Sequence, residues 1–137
     1  KIKVGNLPAK IIIDETKVRQ VFQNLIANSL KFMPAGRTPE ININCIPENG
    51  FWKFSIEDNG IGIPDEYREK IFKPYKQLHT KDKFEGTGMG LAICKKIVEL
   101  HHGSIMAEGS PRGGAMFTLT LPVTSSTREL DVFEALK

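Results

Sequence analysis

Three short stretches carry side chains whose types and spacing suit chemistry. In 24-NLIANSLK-31, Asn24, Asn28 and Lys31 lie four and three residues apart, so on a helix they stack along one face. Asn is a poor helix former. Two on one face are readily understood if their carbonyl oxygens serve a hard cation such as magnesium, with Lys31 beside a phosphate; a solvated helix face is the plain alternative. In 57-EDNGIGIP-64 an acid ends an alternating run, and Gly60 and Gly62 follow. Asp58 is placed there to be a buried carboxylate that accepts from an exocyclic amine, and the glycines let the backbone pass tightly under a flat ring. An Asp-Asn-Gly turn has the same composition. In 86-GTGMGLAI-93, Gly86, Gly88 and Gly90 run directly into a stretch free of helix breakers. Unobstructed backbone amides and the positive end of a helix begun near Met89 make an anion site suited to a phosphate chain; a flexible linker before a helix is the alternative. The spacing is neither the GxGxxG of a dinucleotide fold nor a P-loop, because Leu91 and Ala92 stand where Lys and Ser/Thr would be needed.

These stretches need elements to hold them. The run 11-III-13 suits a buried strand, and Asp14 is a good N-cap for a helix to about Met33, with Val18, Phe22, Leu25, Ser29 and Phe32 on its apolar side. The alternating segments 40-EININCI-46 and 52-WKFSIED-58 flank a turn and read as a hairpin. A short helix is expected from Pro64 to about Ile71, then a polar, aperiodic loop over 73–87. The helix after the glycines runs to about His102 and is closed by Gly103. Strands 104-SIMAEG-109 and 115-AMFTLTLPV-123 follow across 110-SPRGG-114, and 124–137 reads as either a short helix or a fraying end. Helices separated by antiparallel hairpins imply an α+β sandwich: a mixed, mainly antiparallel sheet with helices on one face, not a doubly wound fold.

Composition agrees with one such domain. The 137 residues, 40% of them hydrophobic, suffice for a single core. A net charge of +3 with scattered Lys and Arg does not call for nucleic acid, and suits a polyanionic small ligand. Cys45 and Cys94 stand singly in apolar runs without metal-ligand spacing and read as buried free thiols. No apolar run approaches a membrane span, and no signal peptide opens the chain.

Taken together and in this order, the stretches resemble the catalytic ATP-binding domain of a sensor histidine kinase, within the gyrase, chaperone, histidine-kinase and mismatch-repair ATPase superfamily. The resemblance covers about 14–123 and rests on an N box (24-NLIANSLKF-32), a first glycine box (58-DNGIGIP-64), a phenylalanine box (71-IFKPYKQL-78) and a second glycine box (86-GTGMGLAI-93). It implies a Bergerat-type fold over 1–123, with 124–137 as a tail or linker. It also implies ATP and Mg2+ as cofactors. By the same resemblance Asn28 ligates magnesium with Asn24 and Lys31 beside it near the phosphates, Asp58 recognises the adenine amino group, and Gly60, Gly62 and Ile63 shape that pocket. Gly86, Thr87, Gly88, Met89, Gly90 and Leu91 would border the phosphates and hinge a lid over approximately 76–87, while Phe72 and Tyr75 match aromatics that dock the lid or a partner domain.

The chain departs from the pattern at two places. Where many members carry an Arg in the phenylalanine box, this one has Pro74, with Lys73 or Lys76 as the candidate phosphate contact. Where Ser or Thr often precedes the Phe of the last core strand, Ala115 and Met116 precede Phe117. The implied activity is transfer of the γ-phosphoryl group to a histidine outside this chain, on an upstream dimerising helical hairpin, with a response regulator downstream; His79, His101 and His102 sit in no phosphoacceptor motif. The expected setting is a monomeric isolated domain of a homodimeric parent, cytoplasmic, with membrane anchoring of the parent left open. The alternatives are a degenerate nucleotide-binding switch that transfers nothing, and a gyrase- or chaperone-type ATPase. The second needs an acid one helical turn before Asn28, where this chain has Asn24.

Overall fold

The computed structural model describes residues 2–5, 10–13, 15–73, 90–122 and 128–131. In chain order these form β1 (Ile2–Val4), β2 (Lys10–Ile13), α1 (Glu15–Lys31), β3 (Ile41–Glu48), β4 (Phe51–Asp58), α2 (Gly90–Leu100), β5 (Ser104–Gly109), β6 (Ala115–Pro122) and β7 (Arg128–Asp131). Five strands make one sheet in the order β1-β3-β4-β6-β5, antiparallel except for the parallel pairing of β1 on β3. The expected α+β sandwich with a mixed, mainly antiparallel sheet is the observed architecture.

The β3–β4 hairpin turns on Asn49 and Gly50, both with positive φ (51° and 82°), which matches the right-handed twist of the flanking strands. With the register fixed, alternation sends Ile41, Ile43 and Cys45 of β3 and Phe54, Ile56 and Asp58 of β4 into the core. Phe117 and Leu119 of β6 join that face, and α1 covers it with Val18, Val21, Phe22 and Leu25 while α2 contributes Cys94, Ile97 and Val98. Edge-to-face contacts lock the layers: Phe22 meets Phe54 with ring centroids 5.3 Å apart, and Phe72 meets Phe117 at 6.2 Å.

Four local expectations change. Helix α1 ends at Lys31 instead of about Met33, because Pro34 disfavours helical geometry at the residue before it and the Phe32 carbonyl is taken up by the Ile61 amide at 3.2 Å. The single helix expected from Pro64 to Ile71 is two 3₁₀ turns, Asp65–Tyr67 and Lys70–Phe72. The α2 terminus is closed by His102, not Gly103, in the left-handed conformation (φ 64°), with the His102 amide donating to Glu99 O and the Gly103 amide to Val98 O. Gly103 is needed for space, since a Cβ there would collide with the Thr120 carbonyl. Beyond residue 123, the segment 128–131 is a strand antiparallel to β2, a possibility that its polar composition hid.

Candidate nucleotide site

Asp58 is the last residue of β4, opposite Ile41 in register and only 6% exposed. Its Oδ1 accepts the Gly60 amide at 2.9 Å and the Ala115 amide at 3.0 Å. Among the described residues no hydrogen bond is made to Oδ2. A buried carboxylate held by two backbone donors at one oxygen keeps its second oxygen available to a ligand donor. The backbone closes tightly around it. A Cβ on Gly60 would lie 2.6 Å from the Phe32 carbonyl, and one on Gly114 would strike the Asp58 backbone. Gly62, at φ +79°, would bring a Cβ to 2.9 Å from the Gly113 carbonyl.

The helix bearing the amides ends beside this pocket. The Phe32 carbonyl at the end of α1 accepts the Ile61 amide, so the N box and the first glycine box share a hydrogen bond. Asn28 is half-buried and its side chain makes no hydrogen bond among the described residues; Lys31 is exposed at the last turn. The neighbouring Ser29 hydroxyl is buried without a partner among the described residues. Ser29 lies on the apolar side of α1 and is not part of this face, whereas the half-buried Asn28 amide is open to a ligand or to water. Asn24 is placed differently from its box companions. It lies against the Cys94 thiol of α2, and that thiol also donates to Val21 O at 3.7 Å. Burial pushes the Cys94 thiol up to about 11, with the Asn24 amide opposing the shift.

Of the other candidate residues, Ile63 packs partly buried on the core, as does Leu91 at the start of α2, while Gly90 has open space where a Cβ would project. Phe72 is built into the core, edge-on to Phe117. Tyr75, Lys76, Gly86, Thr87, Gly88 and Met89, the substitution at Pro74, His79 and the expected lid over 76–87 lie outside the described residues. Ala115 and Met116 bring no hydroxyl to this place, and the contact of Ala115 with Asp58 is through its backbone amide.

Sequence reasoning missed Arg37 and Asn59. Arg37 Nη1 donates to the Asn59 carbonyl at 2.7 Å and to the Gly60 carbonyl at 3.2 Å. The Asn59 side chain accepts the Glu40 amide at 2.9 Å and donates to Thr38 O at 3.0 Å. No spacing signal marks Arg37, which reaches 22 residues along the chain; the Asx-type turn chemistry of Asn59 was readable, but not its partner segment.

Residues 13–125 match the family described as histidine kinase-, DNA gyrase B- and HSP90-like ATPase. The chain belongs to that family. Within it, the chain is 46% identical over 123 residues to the phytochrome-like protein Cph1 of Synechocystis sp., covering 90% of this chain and 16% of that protein. It is 38% identical to the adaptive-response sensory kinase SasA of Nostoc sp., over 85% of this chain and 29% of SasA. The chain therefore spans less than a third of the length of these two relatives. Among solved structures, the catalytic domain of histidine kinase ThkA superposes with a TM-score of 0.74 at 32% identity, covering 93% of this chain and 80% of that one. The mycobacterial sensor histidine kinase MprB shares the fold with a TM-score of 0.77. The fold is thus that of the ATPase family, in the form seen in histidine-kinase catalytic domains.

Proposed function

We propose that this ATP-binding catalytic domain holds Mg-ATP between α1 and the Asp58 pocket and presents the γ-phosphoryl group to a histidine of an upstream dimerising helical hairpin. The observation that carries the reading is the Asp58 carboxylate, buried, fixed through Oδ1 by two backbone amides, and placed beside the end of the helix that bears Asn28 and Lys31. Family membership and the likeness to histidine-kinase catalytic domains support the reaction class.

When bound, magnesium and ATP supply the transferable group and neutralise much of its charge. The chain's own residues position. Asp58 Oδ2 would accept from the adenine amino group, Gly60 and Gly62 would shape the floor beneath the ring, Asn28 would offer its carbonyl oxygen to the cation, and Lys31, in the last turn of α1, would counter phosphate charge. The amides of Gly86 to Leu91, running into the first turn of α2, would border the phosphates, and Lys73 or Lys76 would take the place of the usual basic contact of the phenylalanine box. Such a site works by orientation and electrostatics, with little covalent chemistry of its own.

A cytoplasmic setting, a homodimeric parent and a downstream response regulator belong to the same proposal. ThkA has been crystallised with the response regulator protein TrrA, which supports the last. No helix among the described residues is long and apolar enough to cross a membrane. Supplying the cognate hairpin in trans with labelled ATP tests the reading: transfer to the hairpin histidine supports it, while nucleotide binding without any transfer would favour the degenerate switch for which Pro74 is the argument.

A further inference from the structure

The segment that follows the N-box helix is tied to the first glycine box by more than main-chain packing. Arg37 sets one guanidinium nitrogen against two successive carbonyls, Asn59 O at 2.7 Å and Gly60 O at 3.2 Å. In return the Asn59 side chain holds the Glu40 amide at 2.9 Å and the Thr38 carbonyl at 3.0 Å. Together with the Ile61 amide on Phe32 O, these bonds span both sides of the loop 34–40. Three of them end on the backbone of 59–61, and the other two on the Asn59 side chain. That backbone also carries the Gly60 amide, one of the two donors that orient Asp58 Oδ1.

An arginine at an exposed loop has no packing reason to be there. Its charge-assisted bonds to two carbonyls restrain the peptide planes on either side of Gly60, the residue of this turn whose main chain touches the Asp58 carboxylate. Gly60 and Gly62 have no side chains to hold them in place, so their restraint must come from outside.

We infer that Arg37 is a positioning residue for base recognition: by clamping the 59–60 backbone it sets the orientation of the Asp58 carboxylate and the floor of the adenine pocket. The inference rests on the nucleotide reading above, and it adds a residue that touches no part of the nucleotide. Its signature is selectivity. Loss of the clamp loosens the base pocket and leaves the phosphate and metal contacts of Asn28 and Lys31 in place. ATP is then weakened more than GTP, whose base fits Asp58 poorly in any case.

The test is competition binding of ATP and GTP with magnesium on the 137-residue chain, using wild type, Arg37→Ala, Arg37→Lys and Asn59→Ala, with thermal unfolding measured alongside. Arg37→Ala should weaken ATP by about fivefold to tenfold, as expected for loss of charge-assisted bonds, and GTP by less than about twofold. Arg37→Lys should recover part of the loss, since an ammonium keeps the charge but is shorter in reach and more strongly hydrated than the guanidinium nitrogen that serves both carbonyls. Asn59→Ala, which removes the other half of the latch, should move selectivity in the same direction. Equal weakening of both nucleotides, or unchanged ATP affinity in Arg37→Ala, would overturn the inference while leaving the nucleotide site standing. Failure of the wild type to bind ATP would overturn both.

Discussion

The Asp58 carboxylate and the Ala115 amide meet at 3.0 Å, joining the end of β4 to the start of β6 through a single side-chain oxygen. That oxygen also receives the Gly60 amide, so one buried acid sets the geometry of two loops at once. The consequence is that the loops flanking Asp58 tolerate almost no added volume.

Glycine substitutions should divide sharply on this basis. Gly114→Ala drives a methyl into the Asp58 backbone and should destabilise the fold by about 2–3 kcal/mol, at the upper end of overpacking costs. Gly90→Ala, at the first residue of α2 with nothing within 4 Å of its Cβ, should leave the apo domain unharmed or stabilise it by about 0.5 kcal/mol. Urea denaturation of the two variants checks both, and a stable Gly114→Ala protein would show that the 113–115 backbone is free to shift.

The thiols give a prediction with a pH sign. Burial raises Cys94 from 9.0 to about 11 and Cys45 from 9.0 to about 12. Below pH 9 both folded and unfolded chains carry neutral thiols, so no stability is lost. Between 9 and about 11 the unfolded chain releases protons that the folded one keeps, so stability falls with rising pH, by at most ~1.4 kcal/mol per unit for each thiol. Cys94→Val should flatten that decline in pH-dependent chemical denaturation. Native Cys94, with no exposed surface, should also resist thiol reagents until the domain unfolds.

Asn28 should govern the response to magnesium. Removing the cation with chelator should weaken ATP binding to wild type, and Asn28→Ala should abolish that difference without changing the circular dichroism spectrum. Titration calorimetry with and without chelator decides it; a full magnesium response in Asn28→Ala would place the metal on other ligands.

Much of this was legible in the sequence because it is written in local periodicity. The alternation of 40–46 and 52–58 around a turn made the hairpin readable and offered Asp58 as a buried carboxylate, with an exposed turn as the alternative; the register set by Asn49 and Gly50 buries it. The spacing of Asn24, Asn28 and Lys31 placed them on one helix, but not the turning of Asn24 toward Cys94, which depends on how α2 packs. The Arg37–Asn59 latch and the β2–β7 pairing were out of reach for the same reason: each joins segments far apart in sequence, and neither leaves a periodic trace. His102 was misread because left-handed helix ends usually take Gly, and the adjacent Gly103 offered the ordinary candidate.

The most direct test of the account is nucleotide discrimination by Asp58. A buried carboxylate accepts from the adenine amino group but faces the guanine carbonyl acceptor to acceptor, and a mismatched buried charge costs ~1–3 kcal/mol, about tenfold or more at the middle of that range. Wild type should therefore prefer ATP over GTP by at least about that factor, and Asp58→Asn should weaken ATP sharply while narrowing the gap, since an amide can turn a donor toward the guanine carbonyl. Fluorescence competition with both nucleotides on folded wild type and variant measures it. Undiminished ATP affinity in Asp58→Asn, or a wild type that binds the two bases equally, would contradict the account and reduce 58-DNGIG-62 to a turn.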